Sequence, residues 1–278
     1  MEEGLKLCKK THPDLLIGTD PDCDRCGVAA RGPKGEYRLL SGNEMGVLLL
    51  DFICKARLSA NTMPHAPIAV TTVVSTSMAD RLATHYGVAL RRTLTGFKYI
   101  GEQIGLLEQE GHPERFLFGF EESYGYLSGP HVRDKDGVNA VMLICQMTSM
   151  YQKAGITLPE ALEALYRTYG WYENGQIVRA VPGSDGMERM QARLAVLRKA
   201  PPTTLAGKPV EAVLDYVHGL NGLPSADMLE FRLANGRVLL RPSGTEPKLK
   251  LYLEIHENDP LQAKQSYAAL RTACEALL

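Results

Sequence analysis

The sequence predicts an α/β protein in two parts: a mainly parallel sheet domain flanked by helices, followed by a smaller antiparallel α+β domain. In the first part, strand-like and helix-like segments alternate between residues 41 and 170, which indicates a parallel sheet with helices packed on its faces. In the second part, strand-like segments follow one another around an Asn235-Gly236 turn, which is typical of an antiparallel hairpin.

The composition is that of a globular protein with room for two domains. The chain has 278 residues, of which 45% are hydrophobic and 23% charged, and its formal net charge is −1. This balance excludes a strongly basic surface overall, so we expect no nucleic-acid partner and no membrane partner. The amino terminus lacks the apolar core of a secretory signal, and the six cysteines have no regular spacing, so we expect a cytoplasmic protein with free thiols.

Residues 1–40 contain too few elements to close a core of their own. One helix and two short strands are predicted there, over 2–11, 15–17 and 28–30. A new compact unit is expected to begin at Ser41, because the segment 41–44 is a good cap for an apolar helix over 45–57.

The middle of the chain supplies the alternating elements. Strands and helices take turns over 68–74, 78–86, 88–92, 99–110, 115–120 and 138–153, beginning with a strand. A further amphipathic helix begins near Thr157 and ends at Gly170. Ligands of such sheets bind beyond the carboxyl ends of the strands, so the loops at 93–98 and 119–136 are the expected site.

The last part of the chain has a different pattern. Residues 171–175 predict a linker. Strands are then predicted over 176–181, 210–217, 228–233, 238–241 and 250–255, and helices over 187–198 and 261–277. This order indicates a small antiparallel α+β domain.

An acidic loop, Asp20-Pro21-Asp22-Cys23-Asp24-Arg25, directly follows the first strand. Side chains on alternate residues point the same way, so a slight curl brings Asp20, Asp22 and Asp24 around one point. Carboxylates about 5 Å apart repel by roughly 3 kcal/mol per pair at an effective dielectric of 20, which a bound cation would relieve. All-oxygen ligands favour a hard ion, Mg²⁺ first and manganese or calcium behind it. Arg25 would be well placed to grip a substrate phosphate.

The acidic loop also resembles three other kinds of site or turn. A calcium-binding helix-loop-helix needs glycine at the sixth loop position and glutamate at the twelfth, where this chain has Arg25 and Arg31. Cys23 and Cys26 have the spacing of a redox or zinc pair, but no second pair completes such a site. A polar turn rich in Asp and Pro stays open as an alternative.

A second loop, residues 241–248, collects groups that bind anions. It carries a guanidinium, two hydroxyls, an ammonium and a glycine that lets backbone N–H groups converge, on Arg241, Ser243, Thr245, Lys248 and Gly244. This favours phosphate binding over a plain turn.

The loops of the middle domain give weaker signals. Glu121 and Ser123 offer acceptors for sugar hydroxyls, although this pattern alone favours a solvated acidic turn. Lys98 could meet an anionic substrate or be a surface lysine. The charged segment 133–137 says little by itself.

Taken together, five motifs resemble the phosphoglucomutase/phosphomannomutase (α-D-phosphohexomutase) family in sequence, order and spacing. They are the acidic loop, Thr95-Gly96-Phe97-Lys98, Glu121-Glu122-Ser123, Arg133-Asp134-Lys135-Asp136-Gly137 and Arg241-Pro242-Ser243-Gly244-Thr245. The resemblance implies a four-domain enzyme in which a phosphoserine of the first domain exchanges its phosphoryl group with a sugar phosphate.

The resemblance also implies roles for individual residues. Asp20, Asp22 and Asp24 would bind the Mg²⁺ that bridges the phosphoserine. Arg25 would steady the transferring group, and Lys135 matches a lysine proposed as proton carrier, a role that requires a lowered pKa or electrostatic help alone. The implied substrate-binding residues are Lys98, Glu121, Ser123, Arg133, Arg241, Ser243, Gly244 and Thr245, the last four for the phosphate that is not transferred.

One departure from the family pattern matters most: the chain has no serine loop of the Thr-Ala-Ser-His-Asn-Pro type. We therefore expect residues 1–40 to be a remnant of the second mutase domain, 41–170 a sugar-binding domain and 171–278 a phosphate-binding domain. The expected partners are a glucose, mannose or pentose phosphate and the missing amino-terminal domains. Alone, the chain is expected to be inactive.

Three functions remain open at this point. The favoured one is the catalytic half of a sugar-phosphate mutase, with phosphoglucomutase as the preferred activity. The alternative is a non-catalytic sugar-phosphate-binding or regulatory module. A metal-dependent phosphatase with Asp20 as nucleophile ranks last, because it would need an activating acid or lysine that residues 1–40 do not supply.

Overall fold

A computed structural model describes residues 1–183, 185–243 and 247–277 of the chain. Within them the chain divides into two compact units, Met1–Tyr169 and the part that begins at Gly170. Among the described residues, no helix combines the length and the apolar character that crossing a bilayer requires.

The first unit contains two sheets and six α-helices in the described part of the chain. In chain order its elements are α1 (Glu2–Thr11), β1 (Leu15–Thr19), β2 (Cys26–Arg31), β3 (Tyr37–Leu40), α2 (Gly42–Ser59), β4 (Ile68–Thr72), α3 (Met78–Tyr86), β5 (Ala89–Thr93), α4 (Phe97–Gln109), β6 (Phe116–Glu121), β7 (Gly125–Ser128), α5 (Gly137–Lys153) and α6 (Leu158–Tyr169). A short 3₁₀ turn, Pro113–Arg115, leads into β6.

The larger sheet of this unit has the strand order β5-β4-β6-β7. The first three strands are parallel, which confirms the predicted α/β class, and β7 runs antiparallel to β6. Strand β7 lies inside the segment 119–136 that was expected to be a loop. The smaller sheet is an antiparallel meander of β1, β2 and β3, and β3 was also missed from the sequence.

Helix α4 packs one apolar face against the parallel sheet. Their shared core consists of Ile68, Val70, Phe97, Ile100, Ile104, Leu107, Phe116 and Leu127. Four of these lie on α4 with helical spacing, which follows from the 3.6-residue period. This packing fixes the start of α4, and therefore the loop before it, against the carboxyl end of β6.

A buried carboxylate joins three helices. Asp51 of α2 is 1% exposed, and it accepts hydrogen bonds from the hydroxyls of Tyr86 (2.6 Å) and Tyr151 (3.3 Å). Lys55, one turn further along α2, places Nζ 2.8 Å from the same carboxylate. Burial, reinforced by Asp51, raises the pKa of Tyr86, so the tyrosine stays a neutral donor.

The second unit consists, in chain order, of β8 (Trp171–Ala180), α7 (Gly186–Lys199), β9 (Thr204–Leu205), β10 (Lys208–Pro209), β11 (Ala212–Asp215), β12 (Leu229–Leu233), β13 (Gly236–Pro242), β14 (Lys248–Glu257) and α8 (Pro260–Glu275). Its main sheet is antiparallel, with the strand order β11-β12-β13-β14-β8. This confirms the predicted antiparallel α+β architecture.

The linker predicted at 171–175 is wrong. These residues open the ten-residue strand β8, which pairs with β14 along its whole length, from Trp171 opposite Glu257 to Ala180 opposite Lys248. Gly175 suggested a linker, but its missing side chain has a packing role. An added Cβ would lie 1.8 Å from the hydroxyl of Tyr267.

Candidate functional site

The acidic loop is the turn of the β1–β2 hairpin, and it brings its three aspartates together. One carboxylate oxygen from each of Asp20, Asp22 and Asp24 lies within 4.8 Å of the others. Cys23 takes a left-handed conformation (φ 56°), and its N–H donates to the Asp20 carbonyl at 3.0 Å. This tight turn curls the loop, as the alternating aspartates predicted.

Arg25 closes the loop from the other side. Its backbone N–H donates to Asp20 Oδ1 at 3.0 Å, and its guanidinium lies 3.6 Å from Asp20 Oδ2. The backbone hydrogen bond is the main reason that the pKa of Asp20 is lowered. The Arg25 side chain is about half exposed, so it can also reach a ligand outside the loop.

The donor set of this loop fits a hard divalent cation. Every candidate ligand is a carboxylate oxygen. Asp24 Oδ1 is buried and accepts no hydrogen bond from the described residues, and Arg25 Nε lies 3.9 Å from it. A buried oxygen without a hydrogen bond is costly, and a cation would satisfy it.

Lys135 meets the acidic loop directly. Its Nζ lies 3.0 Å from Asp24 Oδ2 and 2.9 Å from Asp134 Oδ1, and only 11% of the side chain is exposed. Burial by itself would lower the pKa of Lys135, but hydrogen bonds to Asp134 and Asp24 outweigh it and raise the pKa. The ammonium is therefore held protonated in this arrangement.

A glycine makes room for the lysine. A Cβ at Gly125, the first residue of β7, would lie 2.5 Å from Lys135 Cδ. The ammonium also lies 5.5 Å from the centre of the Phe97 ring. Gly125 was not singled out from the sequence, because no local pattern shows that a distant side chain crosses it.

Glu121 ends β6 and faces the start of α4. It is 7% exposed, and its Oε1 accepts the backbone N–H of Gly96 at 2.7 Å. Burial raises the pKa of Glu121. Gly96 has a φ of 119°, a conformation that favours glycine, so the loop 95–98 can offer this N–H to the carboxylate.

Glu122 is a further carboxylate that sequence reasoning did not select. Its Oε2 accepts hydrogen bonds from Thr72 Oγ1 (3.3 Å), on the last residue of β4, and from Ser75 Oγ (3.4 Å), just after that strand. Burial, with the neighbouring charge of Glu121, raises the pKa of Glu122. The sequence shows only that Glu121 and Glu122 are adjacent. It does not show that Glu121 contacts Gly96 whereas Glu122 contacts Thr72 and Ser75.

Backbone contacts bring three of the predicted motifs to one place. Arg25 forms an isolated β-bridge with Gly125, and the Cys26 N–H donates to the Tyr124 carbonyl at 3.2 Å. The N–H of Gly137 donates to the Cys23 carbonyl at 3.1 Å. The acidic loop, the segment 121–125 and the segment 133–137 therefore touch one another.

Three expected substrate-binding residues of this unit have different surroundings. Ser123 is exposed beside this meeting point. Lys98 is exposed as well, with Nζ 4.9 Å from the centre of the Tyr99 ring. Arg133 forms an ion pair with Glu108 of α4 and donates to the carbonyl of Pro130 at 2.7 Å, so it is held by its own unit.

The anion loop of the second unit is described in part. Arg241 lies near the end of β13, opposite Lys250, and the Ser243 N–H donates to the Lys248 carbonyl at 2.8 Å. Within the described ranges no ion pair is formed by the Arg241 guanidinium. Gly244 and Thr245 lie outside the described residues.

Comparison with known protein families matches most of the chain. Residues 41–169 match the family profile "Phosphoglucomutase/phosphomannomutase, alpha/beta/alpha domain III", and residues 179–266 match the C-terminal domain of the same family. The chain belongs to the phosphoglucomutase/phosphomannomutase family. The predicted resemblance is thereby confirmed.

Curated relatives include the phosphoglucomutases of two Staphylococcus aureus strains. Those of strains USA300 and N315 are 35% and 34% identical over 265 residues, which is 91% of this chain and 47% of each relative. The chain thus spans about half the length of the curated relatives it matches.

Solved structures share the fold at lower identity. The open form of parafusin, a phosphoglucomutase from Paramecium, has a TM-score of 0.68 and 21% identity, covering 96% of this chain and 44% of its own. The Aspergillus fumigatus N-acetylphosphoglucosamine mutase, solved with GlcNAc-6P and magnesium, has a TM-score of 0.50 and 15% identity, covering 99% of this chain and 53% of its own.

Proposed function

We propose that this chain is the metal-binding and sugar-phosphate-binding half of a phosphohexomutase, with phosphoglucomutase as the activity of the whole protein. The observation that carries the proposal is the ion pair between Lys135 and Asp24. The hydrogen bond from the Gly96 N–H to the Glu121 carboxylate supports it. Phosphoryl transfer between sugar hydroxyls needs three kinds of group. They are carboxylates that bind a cation, a fixed ammonium, and acceptors for the sugar hydroxyls.

Asp20, Asp22 and Asp24 would hold Mg²⁺, which supplies charge stabilisation to a transferring phosphoryl group. Arg25, half exposed beside them, would bind the oxygens of that group with its planar donors. Lys135 would stabilise the developing negative charge as a protonated ammonium. Each residue acts by position and charge.

Each unit would supply its own substrate-binding residues. Glu121 and Ser123 would hold the sugar hydroxyls, with Lys98 and Arg133 as cations at the rim. Arg241, Ser243, Gly244 and Thr245 would bind the phosphate that is not transferred. A guanidinium without a described ion pair supports this role for Arg241.

The nucleophile of the proposed reaction is the family's phosphoserine, and no Thr-Ala-Ser-His-Asn-Pro motif occurs in the 278 residues. We therefore propose that this chain binds Mg²⁺ and sugar phosphate but does not interconvert glucose 1-phosphate and glucose 6-phosphate alone. Six free thiols support the cytoplasm as the compartment.

The binding half of the proposal is tested by calorimetry. Mg²⁺, then glucose 6-phosphate in the presence of Mg²⁺, is titrated into the purified chain and into two variants. Asp22→Asn should abolish the Mg²⁺ heat, whereas the control Glu102→Gln, on the exposed side of α4, should leave it unchanged. Equal Mg²⁺ affinity in both variants would contradict the metal site.

The catalytic half of the proposal is tested by complementation. The amino-terminal half of a Staphylococcus aureus phosphoglucomutase is co-expressed with this chain, and mutase activity is measured by coupled assay. Activity that requires both chains and is lost with Arg25→Ala supports the mutase.

A non-catalytic sugar-phosphate-binding module is the second candidate, because the serine motif does not occur in this sequence. Sugar-phosphate binding without restored turnover, in a complex shown by gel filtration to have assembled, would favour that module over the mutase.

A further inference from the structure

Two cations lie opposite one another near the carboxyl end of β13 in the second unit. Arg241 of β13 pairs directly with Lys250 of β14 in the antiparallel register. Residues that lie directly opposite in such a ladder project from the same face, with Cβ atoms about 4.5–5.5 Å apart. The guanidinium and the ammonium therefore share one small area of the sheet surface, although like charges placed in this way destabilise a sheet.

The same two strands also contain a charged pair of the usual kind. Nearer the start of β13, Arg237 lies opposite Glu254, and its Nε is 3.1 Å from Glu254 Oε1. The charges of that pair cancel. The residue opposite Arg241 is instead a second cation, so this end of the ladder carries two positive charges.

No acid compensates these two cations within the described residues. The neighbouring positions on the same face of β8, β13 and β14 are occupied by Leu239, Lys248, Tyr252, Gln176, Val178 and Ala180. Neither Arg241 nor Lys250 forms an ion pair with any residue of the described ranges. An anion from solution would neutralise both cations at once.

The two cations lie where a ligand can reach them. Both side chains are partly exposed. The next residue across the same face is Val178 of the edge strand β8, and it is 49% exposed. Helices α7 and α8 pack on the opposite face, where Leu249 and Leu251 belong to the core.

The charge and the donors of the two side chains indicate the class of ligand. A guanidinium offers planar N–H groups that match phosphate oxygens, and an ammonium adds a compact point charge. A phosphate monoester carries about −1.5 to −2 charges at neutral pH, whereas a diester is singly charged. Because Coulomb attraction grows with the charge of the ligand, a second cation favours the monoester.

We propose that Lys250 is a further phosphate-binding residue, which together with Arg241 makes this end of the sheet selective for a phosphate monoester over a diester. The inference rests on the phosphate role proposed for Arg241. It adds a residue outside the anion loop, and it gives a physical reason for preferring a sugar monophosphate to a ligand whose phosphate is esterified twice.

A matched pair of small ligands tests this inference without a sugar and without Mg²⁺. Methyl phosphate and dimethyl phosphate are titrated separately into the full ¹⁵N-labelled chain at mildly alkaline pH and low salt, and the backbone amide resonance of Arg241 is followed. Lys250→Met should raise the Kd for methyl phosphate about fivefold and that for dimethyl phosphate about twofold, because the lost attraction scales with the charge of the ligand. Lys250→Arg should restore the affinity for methyl phosphate.

Two further variants complete the design. Lys264→Met removes an exposed lysine of α8 and should change neither Kd. Equal factors for the two ligands in Lys250→Met, or no saturable shift with methyl phosphate in the unchanged chain, would overturn the inference. Binding that is lost in Arg241→Met but unchanged in Lys250→Met would overturn it too, while the phosphate role of Arg241 would stand.

Unfolding separates a binding role of Lys250 from a structural one. Without ligand and at low salt, Lys250→Met should unfold at a higher urea concentration than the unchanged chain, because it removes the like charge opposite Arg241. A lower midpoint would assign Lys250 a structural role and overturn the inference. Selective binding of methyl phosphate in a chain that gives no Mg²⁺ heat would contradict the mutase proposal alone.

Discussion

Lys135 Nζ lies 3.0 Å from Asp24 Oδ2, so the segment before α5 and the turn of the first hairpin form one electrostatic unit. The ammonium partly neutralises the carboxylates that a cation would share. Mg²⁺ binding and the ion pair with Lys135 would therefore be linked, because both depend on the Asp24 carboxylate.

We expect replacement of Asp24 to weaken Mg²⁺ binding more than replacement of an acid outside the loop. Asp24→Asn removes one ligand charge and one partner of Lys135, and it should raise the Kd for Mg²⁺ at least tenfold, about 1.4 kcal/mol. Titration calorimetry measures this, with Glu102→Gln as control. A Kd for Asp24→Asn within twofold of the unchanged chain would contradict the assignment.

A matched pair of glycine variants tests the contact between α5 and the acidic loop. A Cβ at Gly137 would lie 2.4 Å from the Cys23 carbonyl oxygen, whereas a Cβ at Gly105 of α4 would meet nothing within 4 Å. Gly137→Ala should cost about 1–3 kcal/mol of unfolding free energy and weaken Mg²⁺ binding.

Gly105→Ala is the control of that pair, and it should stabilise the chain by about 0.5–1 kcal/mol, because alanine is the better helix former. Urea unfolding measures both variants. Equal effects of the two substitutions would show that the close approach at Cys23 does not exist in solution.

The pH dependence of stability should reveal the partly buried Glu122. Its pKa is raised in the folded state, so between the unfolded value near 4.3 and the folded value the native chain binds more protons than the unfolded chain. Its contribution to stability is therefore fully present at acid pH and is lost as the pH rises through the folded pKa.

Glu122→Gln has no such loss, so its unfolding free energy relative to the unchanged chain should increase from pH 4 towards pH 8. Urea titrations across this range, compared with the exposed Glu102→Gln, measure the difference. A constant difference at all pH values would mean that Glu122 titrates normally.

The carboxylate that joins α2, α3 and α5 should be important for stability. Asp51→Asn weakens the acceptor of two tyrosine hydroxyls and of Lys55, and it should cost about 1–3 kcal/mol. Asp80→Asn, which removes an ion pair with Arg92 at a half-exposed aspartate, should cost less than about 1 kcal/mol. Urea unfolding should rank the two accordingly; the reverse order would contradict the role of Asp51.

Local patterns in the sequence predicted the curl of the acidic loop, because the alternation of Asp20, Asp22 and Asp24 is itself the geometric signal. The same was true of the capping of α2, where Ser41 and Glu44 exchange hydrogen bonds as their spacing indicates. Both features depend on neighbours within a few residues.

Features that depend on distant residues were not predictable in the same way. Nothing near Gly125 indicates that Lys135 crosses it, and nothing in 171–175 indicates a partner strand at the far end of the second unit. The linker prediction failed because a glycine that permits close packing and a glycine that permits flexibility look alike in sequence.

The hydrogen bond from Gly137 to Cys23 has one more consequence. It sets the amino-terminal end of the 17-residue helix α5 against the aspartate-bearing turn. Aligned peptide dipoles give such a helix end roughly half a positive elementary charge. The backbone thus supplies a fixed positive charge that does not titrate. This charge would stabilise the three aspartates of the turn when no metal is bound.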